Sequence, residues 1–94
     1  MIKTFKHKGL KLFWESGNTK LLPQDQIDKI RRILDTLNDI KQAPQDLIPF
    51  KSWGIHKLKG NYIDYWSVIV KENWRIIFRF DDGKVYDINL VDYH

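Results

Sequence analysis

The 94 residues contain no cysteine, which excludes a disulfide framework and every thiolate metal site. Nothing in the composition calls for an oxidising compartment, so a reducing cytoplasm is the expected location. No apolar run approaches the ~18 residues needed to span a bilayer. The opening MIKTFKHKGL is charged within three residues and has no apolar stretch of the signal-peptide kind. A soluble protein is expected. Glycine and proline are sparse, at 5 and 3, and internal repeats and low-complexity tracts are missing. The one shift in texture, residues 42–51 around Pro44 and Pro49, reads as a connection inside a single domain spanning 1–94.

Positive charge is in modest excess, with a formal net charge of +4. Its distribution is more informative than its total. Residues 1–20 and 51–79 each sum to +4, whereas 21–50 sum to −1 and 80–94 to −3. Ordinary solubility charge would account for the balance. Two basic blocks brought together by the fold would instead make a face for a polyanion.

Met1 to Phe5 alternates like a short strand. From Lys8, residues Leu10, Phe13 and Trp14 recur at helical spacing, and Gly17 suits the left-handed position that ends a helix. A second helix is predicted over 24–40: Pro23 fits its entry, Asp25 and Asp28 complement its positive end, and Ile27, Ile30, Leu34 and Leu37 keep steps of three and four. After Pro49 come four short runs, 53–58, 64–71, 74–81 and 84–91, whose Tyr, Trp, Phe, Ile and Val favour strands. Asp82-Gly83 marks a tight hairpin, and Gly60-Asn61 and Lys71-Glu72-Asn73 suggest two further turns. The expected class is α+β, two N-terminal helices packed on one face of a largely antiparallel, twisted sheet in the order β-α-α-β-β-β-β.

Within 74–81, Trp74, Ile76, Phe78 and Phe80 share one face and Arg75, Ile77 and Arg79 the other. The apolar set must meet the helices, leaving Arg75 and Arg79 on the open face. A salt-bridged solvated surface is the plain alternative. These are, however, two of only four arginines in a lysine-rich chain, and arginine is the better fork for phosphate. The run His56-Lys57-Leu58-Lys59-Gly60 adds an imidazole and two cations, and the glycine permits a sharp turn beside Lys59. Asp92-Tyr93-His94 continues the last strand. Strict alternation from Tyr86, Ile88 and Leu90 would turn Asp92 and His94 toward the helices and away from Arg75, so either a bulge or bend near Val91 or a different register of this strand is expected.

His7, His56 and His94 lack close metal-ligand spacing, and no Gly-rich phosphate loop, Gly-x-Ser-x-Gly elbow or cysteine nucleophile is present. The acidic residues lie mostly in the second helix and in turns, which does not favour a glycosidase pair. What remains is His, Lys, Arg, Tyr and Asp. That set suits cleavage of an RNA phosphodiester, in which the ribose 2′-OH attacks and the protein supplies a base, an acid and cations.

The segments MIKTFKHKGLK, HKLKGN, YWSVIVKENWRIIFRFDDGKVYDI and the closing DYH resemble, from end to end, the HigB-type toxins, or plasmid-maintenance killer proteins, of the RelE/ParE superfamily. The resemblance implies a RelE-like fold and a ribosome-dependent mRNA endonuclease that needs no cofactor or metal. It also implies a helix-turn-helix (HigA-type) antitoxin as partner, with operator DNA reached only through that antitoxin. No membrane partner is implied. Carried over by position, the family's catalytic residues fall on His56, Lys59, Arg75, Asp92, Tyr93 and His94. Lys57 stands where members often have proline. Lys6, Lys8, Lys11, Lys57 and Arg79 are expected to bind ribosomal or messenger RNA. Two other functions compete: a DNA-gyrase inhibitor of the ParE type, and a non-catalytic nucleic-acid-binding domain that uses the basic blocks alone.

Overall fold

The computed structural model describes residues 1–93, and His94 lies outside the described residues. Helices α1 (Lys8–Ser16) and α2 (Ile27–Asp39) precede four strands, β1 (His56–Lys57), β2 (Tyr65–Lys71), β3 (Trp74–Asp81) and β4 (Lys84–Asp92). The strands form an antiparallel meander in sequence order. The expected N-terminal strand is present only as an extended segment laid parallel to β4. It bridges Ile2 to Val85 and Phe5 to Ile88, and Lys3 N and Lys6 N each donate across at 2.8 Å to Val85 O and Ile88 O.

The steps of three and four along α2 produce one buried stripe, Ile30, Ile33, Leu34 and Leu37. It packs with Leu10 and Phe13 of α1 against Val68, Val70, Ile76, Phe78, Val85, Ile88 and Leu90 of the sheet. Burying each such side chain contributes about 1.5–3 kcal/mol. Gly17 ends α1 at φ 76°, its N–H donating to Phe13 O at 2.8 Å. The lead-in to α2 is pinned to the sheet by Lys71 Nζ on Asp25 Oδ2 at 2.5 Å, a hydrogen bond that holds the Asp25 carboxyl below the usual carboxylate range.

The boundaries differ from expectation at two places. Residues 24–26 form a 3-10 turn ahead of α2. The predicted strand 53–58 shrinks to His56–Lys57, because Lys51–Trp53 is a 3-10 turn closed by Gly54 at φ 54°. A Cβ on Gly54 would stand 3.1 Å from Ile69 Cδ1, so the glycine meets both a left-handed backbone and a close approach to β2.

The expected irregularity in the last strand is real, but it lies at Asp87 and not near Val91. Ile77 faces Asn89 whereas Arg79 faces Tyr86, so β4 holds one extra residue over that interval. Asp87 sits at φ 54°, a conformation that aspartate tolerates better than most residues. Its N–H donates to Thr4 Oγ1 at 2.7 Å, and the Thr4 hydroxyl donates back to Oδ1 at 3.3 Å. Arg79 Nε donates to Oδ2 at 2.8 Å. The bulge places Tyr86 across from Arg79 on the open face, while Val85, Ile88 and Leu90 all remain buried. The expectation that put Tyr86 with Ile88 and Leu90 is therefore corrected. Asp92, paired with Trp74, keeps the helix-side parity of Ile88 and Leu90, and no later bend carries it to the face of Arg75.

His7 starts α1 as an acceptor: its Nδ1 takes the Leu10 N–H at 3.1 Å, satisfying one of the orphan donors of the first turn. Only unprotonated Nδ1 can accept, and burial pushes the imidazole pKa down. Neighbouring Gly9 leaves no slack, since a Cβ there would lie 2.9 Å from His7 Cε1 and from Leu21 O. A group whose folded pKa is depressed contributes its full stability above its unfolded value, near 6.5 for histidine, and loses it as the pH falls below that value. Wild-type protein is accordingly expected to lose about 1 kcal/mol of its stability between pH 8 and 5 through this cap. His7→Asn, which caps without titrating, should flatten that part of the profile. Urea midpoints of both proteins at the two pH values test this, and parallel profiles would refute it.

Candidate active site

The open sheet face carries a second, smaller apolar cluster: Leu58, Tyr65 and Ile77 are buried, with Val91 packed against them. Each comes from a different strand or strand end, and the register explains their meeting. His56 faces Ser67, Ser67 faces Ile77, and Ile77 faces Asn89, while Arg75 faces Val91 one rung along. Leu58 joins by donating its N–H to Tyr65 O at 2.9 Å.

Two adjoining cavities lie over this floor. One, of about 110 Å³, is lined by Leu58, Tyr62, Ile77, Val91 and Tyr93. The other, of about 230 Å³, is lined by His56, Lys57, Leu58, Lys59 and Tyr93. Tyr93 and Leu58 are common to both. Tyr93 reaches this position because its N–H donates to Asn73 O at 2.8 Å, which carries the chain past β4 on the parity of Val91.

His56 Nδ1 lies 3.1 Å from Gly54 O. A carbonyl can only accept, so Nδ1 is the donor of this contact and Nε2 is the ring nitrogen left to meet a substrate. Lys59 precedes Gly60, at φ 64°, and the sharp turn expected there is the 3-10 turn Gly60–Tyr62. Of the residues predicted for catalysis, His56, Lys59 and Tyr93 therefore converge. Arg75 stands one rung off on the same face. Its Nη1 donates to the carbonyls of Glu72 and Trp74, so it is drawn toward the β2–β3 turn. Asp92 has the opposite parity, and the predicted His94 lies outside the described residues.

The basic residues do not gather into one face. Lys6 Nζ stands 5.3 Å from the centroid of the Tyr65 ring, and a side-chain hydrogen bond with Tyr65 raises its pKa. Arg79 shares that end of the sheet, stacked 5.4 Å from Tyr86, and its partner Asp87 raises the pKa of an already strong base. Lys57, by contrast, covers Trp66 at 4.9 Å, a ring on the parity of Phe78. Lys11 lies by Trp14 and Glu15, and Lys8 is exposed at the start of α1. Sequence reasoning missed Leu58, Tyr62, Tyr65 and Val91. The one signal was Ile77, an apolar residue placed between two arginines on a face that had no evident reason to bury it.

A four-stranded antiparallel meander backed on one face by two helices is the RelE-like α+β fold. Two solved relatives share it. The crystal structure of YafQ from Escherichia coli BL21(DE3) superposes with a TM-score of 0.63 at 16% identity, over 98% of this chain and 91% of that one. A chain of the YoeB–YefM complex from Staphylococcus aureus superposes with a TM-score of 0.56 at 20% identity, over 100% of this chain and 95% of that one. The sequence narrows the class further. Residues 3–94 match the family model described as the RelE-like toxin of the type II toxin-antitoxin system HigB. The chain is 41% identical over 97 residues to Endoribonuclease HigB of Proteus vulgaris, with both chains covered completely. It belongs to the HigB-like toxin family.

Tyr93 is 55% exposed yet walls both cavities, so its loss should damage the site far more than the fold. Deleting Tyr93 and His94 is expected to abolish growth inhibition on induction in bacteria and to lower stability by less than about 1 kcal/mol. Growth curves and a thermal midpoint check this; a large fall in the midpoint would make the tail a structural strand.

Proposed function

We propose that residues 1–94 act as one cytoplasmic toxin domain, an endoribonuclease that cuts mRNA on the ribosome and is neutralised by a helix-turn-helix antitoxin. The observation that supports this best is the convergence of His56, Lys59 and Tyr93 on one cavity, with His56 Nδ1 tied to the Gly54 carbonyl. A protein that only bound a partner would need no imidazole beside the ammonium of Lys59 on one cavity.

The reaction follows from the substrate's own chemistry. The 2′-OH attacks the adjacent phosphorus, the bond to the departing 5′-oxygen breaks, and a 2′,3′-cyclic phosphate or its 3′-phosphate product is left opposite a 5′-hydroxyl. A base must remove the 2′ proton and an acid must protonate the leaving oxygen. His56 and His94 are the two imidazoles for these roles, with Asp92 orienting or assisting His94 from the end of β4, outside the cavity that His56, Lys59 and Tyr93 line. Lys59 and Arg75 neutralise the charge that grows on the phosphorane oxygens. Tyr93 stacks on a base. Side chains supply every proton and charge in this scheme, so no metal is required. Arg75 must release its turn carbonyls to reach the phosphate, a side-chain rotation available to a surface strand residue.

The shallow, open site argues for a ribosome that presents the mRNA in an extended path. Naked RNA has to pay its own ordering entropy before reaction. Arg75→Ala is expected to fold, to be captured by the antitoxin, and to cleave mRNA in translating ribosomes 10²–10³ times more slowly, roughly the loss seen when one preorganised oxyanion donor is removed. Its stability should change by no more than about 1 kcal/mol. Arg75→Lys should recover part of the rate, as a point charge replaces a fork. Single-turnover cleavage beside a denaturant midpoint separates the outcomes, and wild-type cleavage by Arg75→Ala removes it from the mechanism.

A further inference from the structure

Both cavities on the open face share Tyr93, but their linings differ in kind. Around His56, Lys57 and Lys59 the lining is cationic, whereas Leu58, Ile77 and Val91 form an apolar floor between two tyrosine rings. Tyr62 is 51% exposed and Tyr93 55%. Leu58 and Ile77 are themselves buried, so the apolar area open to this cavity is mainly that of the two half-exposed rings and of Val91, which a planar group would cover. Tyr62 is also held in place: it ends the turn Gly60–Tyr62, and its ring meets Tyr65 edge-on at 5.5 Å and 70°. Tyr65 itself is 7% exposed. That leaves a braced ring whose solvent side is available for a stack.

We propose that the space between Tyr62 and Tyr93 is a nucleobase slot, taking the base of a nucleotide adjoining the scissile phosphate, and that Tyr62 is a substrate-binding residue of this site. At about 110 Å³ the slot is far smaller than the ~300–1,000 Å³ of cavities that enclose a whole ligand. It admits a single ring system and leaves the sugar and phosphate outside. The adjoining cationic cavity lies where those groups would fall, and this continuity selects RNA as the occupant. A protein side chain in the slot would leave His56 and Lys59 without a counterpart. With a lining of aliphatic groups and tyrosine rings, the slot reads a base by stacking and shape more than by hydrogen bonds.

This inference rests on the nuclease reading, and two measurements keep the two separable. The first is single-turnover cleavage on ribosomes programmed with mRNAs that carry one abasic nucleotide at successive positions of the target codon. At one position the abasic site should slow the wild-type protein about tenfold. The same substitution should not slow Tyr62→Ala further, and Tyr62→Phe should behave as wild type. Additive losses at every position would overturn the slot. Failure of the wild-type protein to cut any of these mRNAs would overturn the nuclease reading instead. The second measurement, free of cleavage, titrates ribosomes programmed with an mRNA that is 2′-deoxy at the scissile nucleotide and bears 2-aminopurine at that position. Its fluorescence should be quenched by the wild type and Tyr62→Phe, and about tenfold higher Tyr62→Ala should be needed for the same effect. Equal quenching by Tyr62→Ala, or none by the wild type, refutes the proposal. So does a Tyr62→Ala protein that cleaves and quenches normally but no longer binds its antitoxin, which would make the slot a protein interface. An unchanged denaturant midpoint for Tyr62→Ala excludes misfolding as the cause of any loss.

Discussion

One extra residue in β4 decides which side chains the last strand gives to each face of the sheet. At Asp87 the backbone turns through φ 54°, and the two-residue period of the strand slips by one. Ahead of the slip, Val85 is buried against the helices and Tyr86 faces out; after it, Ile88 and Leu90 are buried while Asn89 and Val91 hold the outer parity. Tyr93 inherits that parity and so lies over Ile77. Without the bulge, core and site would demand opposite registers of the same nine residues. The Thr4 hydroxyl and the Arg79 guanidinium, both on the Asp87 carboxylate, tie the slip to two other segments. Arg79 is thereby a structural residue first, whatever it later contacts.

The sheet has two apolar surfaces with unequal cover. The helices close the larger completely. In the smaller, Leu58, Tyr65 and Ile77 are buried and only Val91 is partly open, with the ammonium of Lys6 over the Tyr65 ring. Such a floor excludes water from the side of the site where charge must develop, which strengthens each cation placed at its rim. Stability favours covering that floor and function favours leaving it accessible. The tyrosines reconcile the two, since their rings shield apolar area while their hydroxyls remain wet.

Helical spacing and β-branched runs made most of the fold legible, because α2 and the hairpin β3–β4 are amphipathic with clear periods and punctuated by residues that can hold positive φ. The family motifs likewise singled out His56, Lys59 and Tyr93, which line one cavity. What escaped depends on tertiary register. Alternation cannot say where an aspartate will take an extra residue, so Tyr86 was assigned to the wrong face. Nor does it show that Lys57 lies on Trp66 while Lys59, two residues on, joins the site across a glycine turn. Net charge per segment misled for a related reason: the lysines of the N-terminal block are close in sequence, but they leave an extended segment and a helix in different directions.

The docking of Met1–His7 along β4 carries a kinetic consequence. Thr4 and Asp87 are 83 residues apart, so the contact that sets the register of the last strand closes almost the whole chain into a loop. Contacts of such high sequence separation form late and slow folding. Val91 and Tyr93, which border the cavities of the open face, lie beyond the bulge whose position that contact holds. The outward parity of Asn89, Val91 and Tyr93 is thus held in part by a residue at the opposite end of the chain, so a change at Thr4 reaches the open face without touching it.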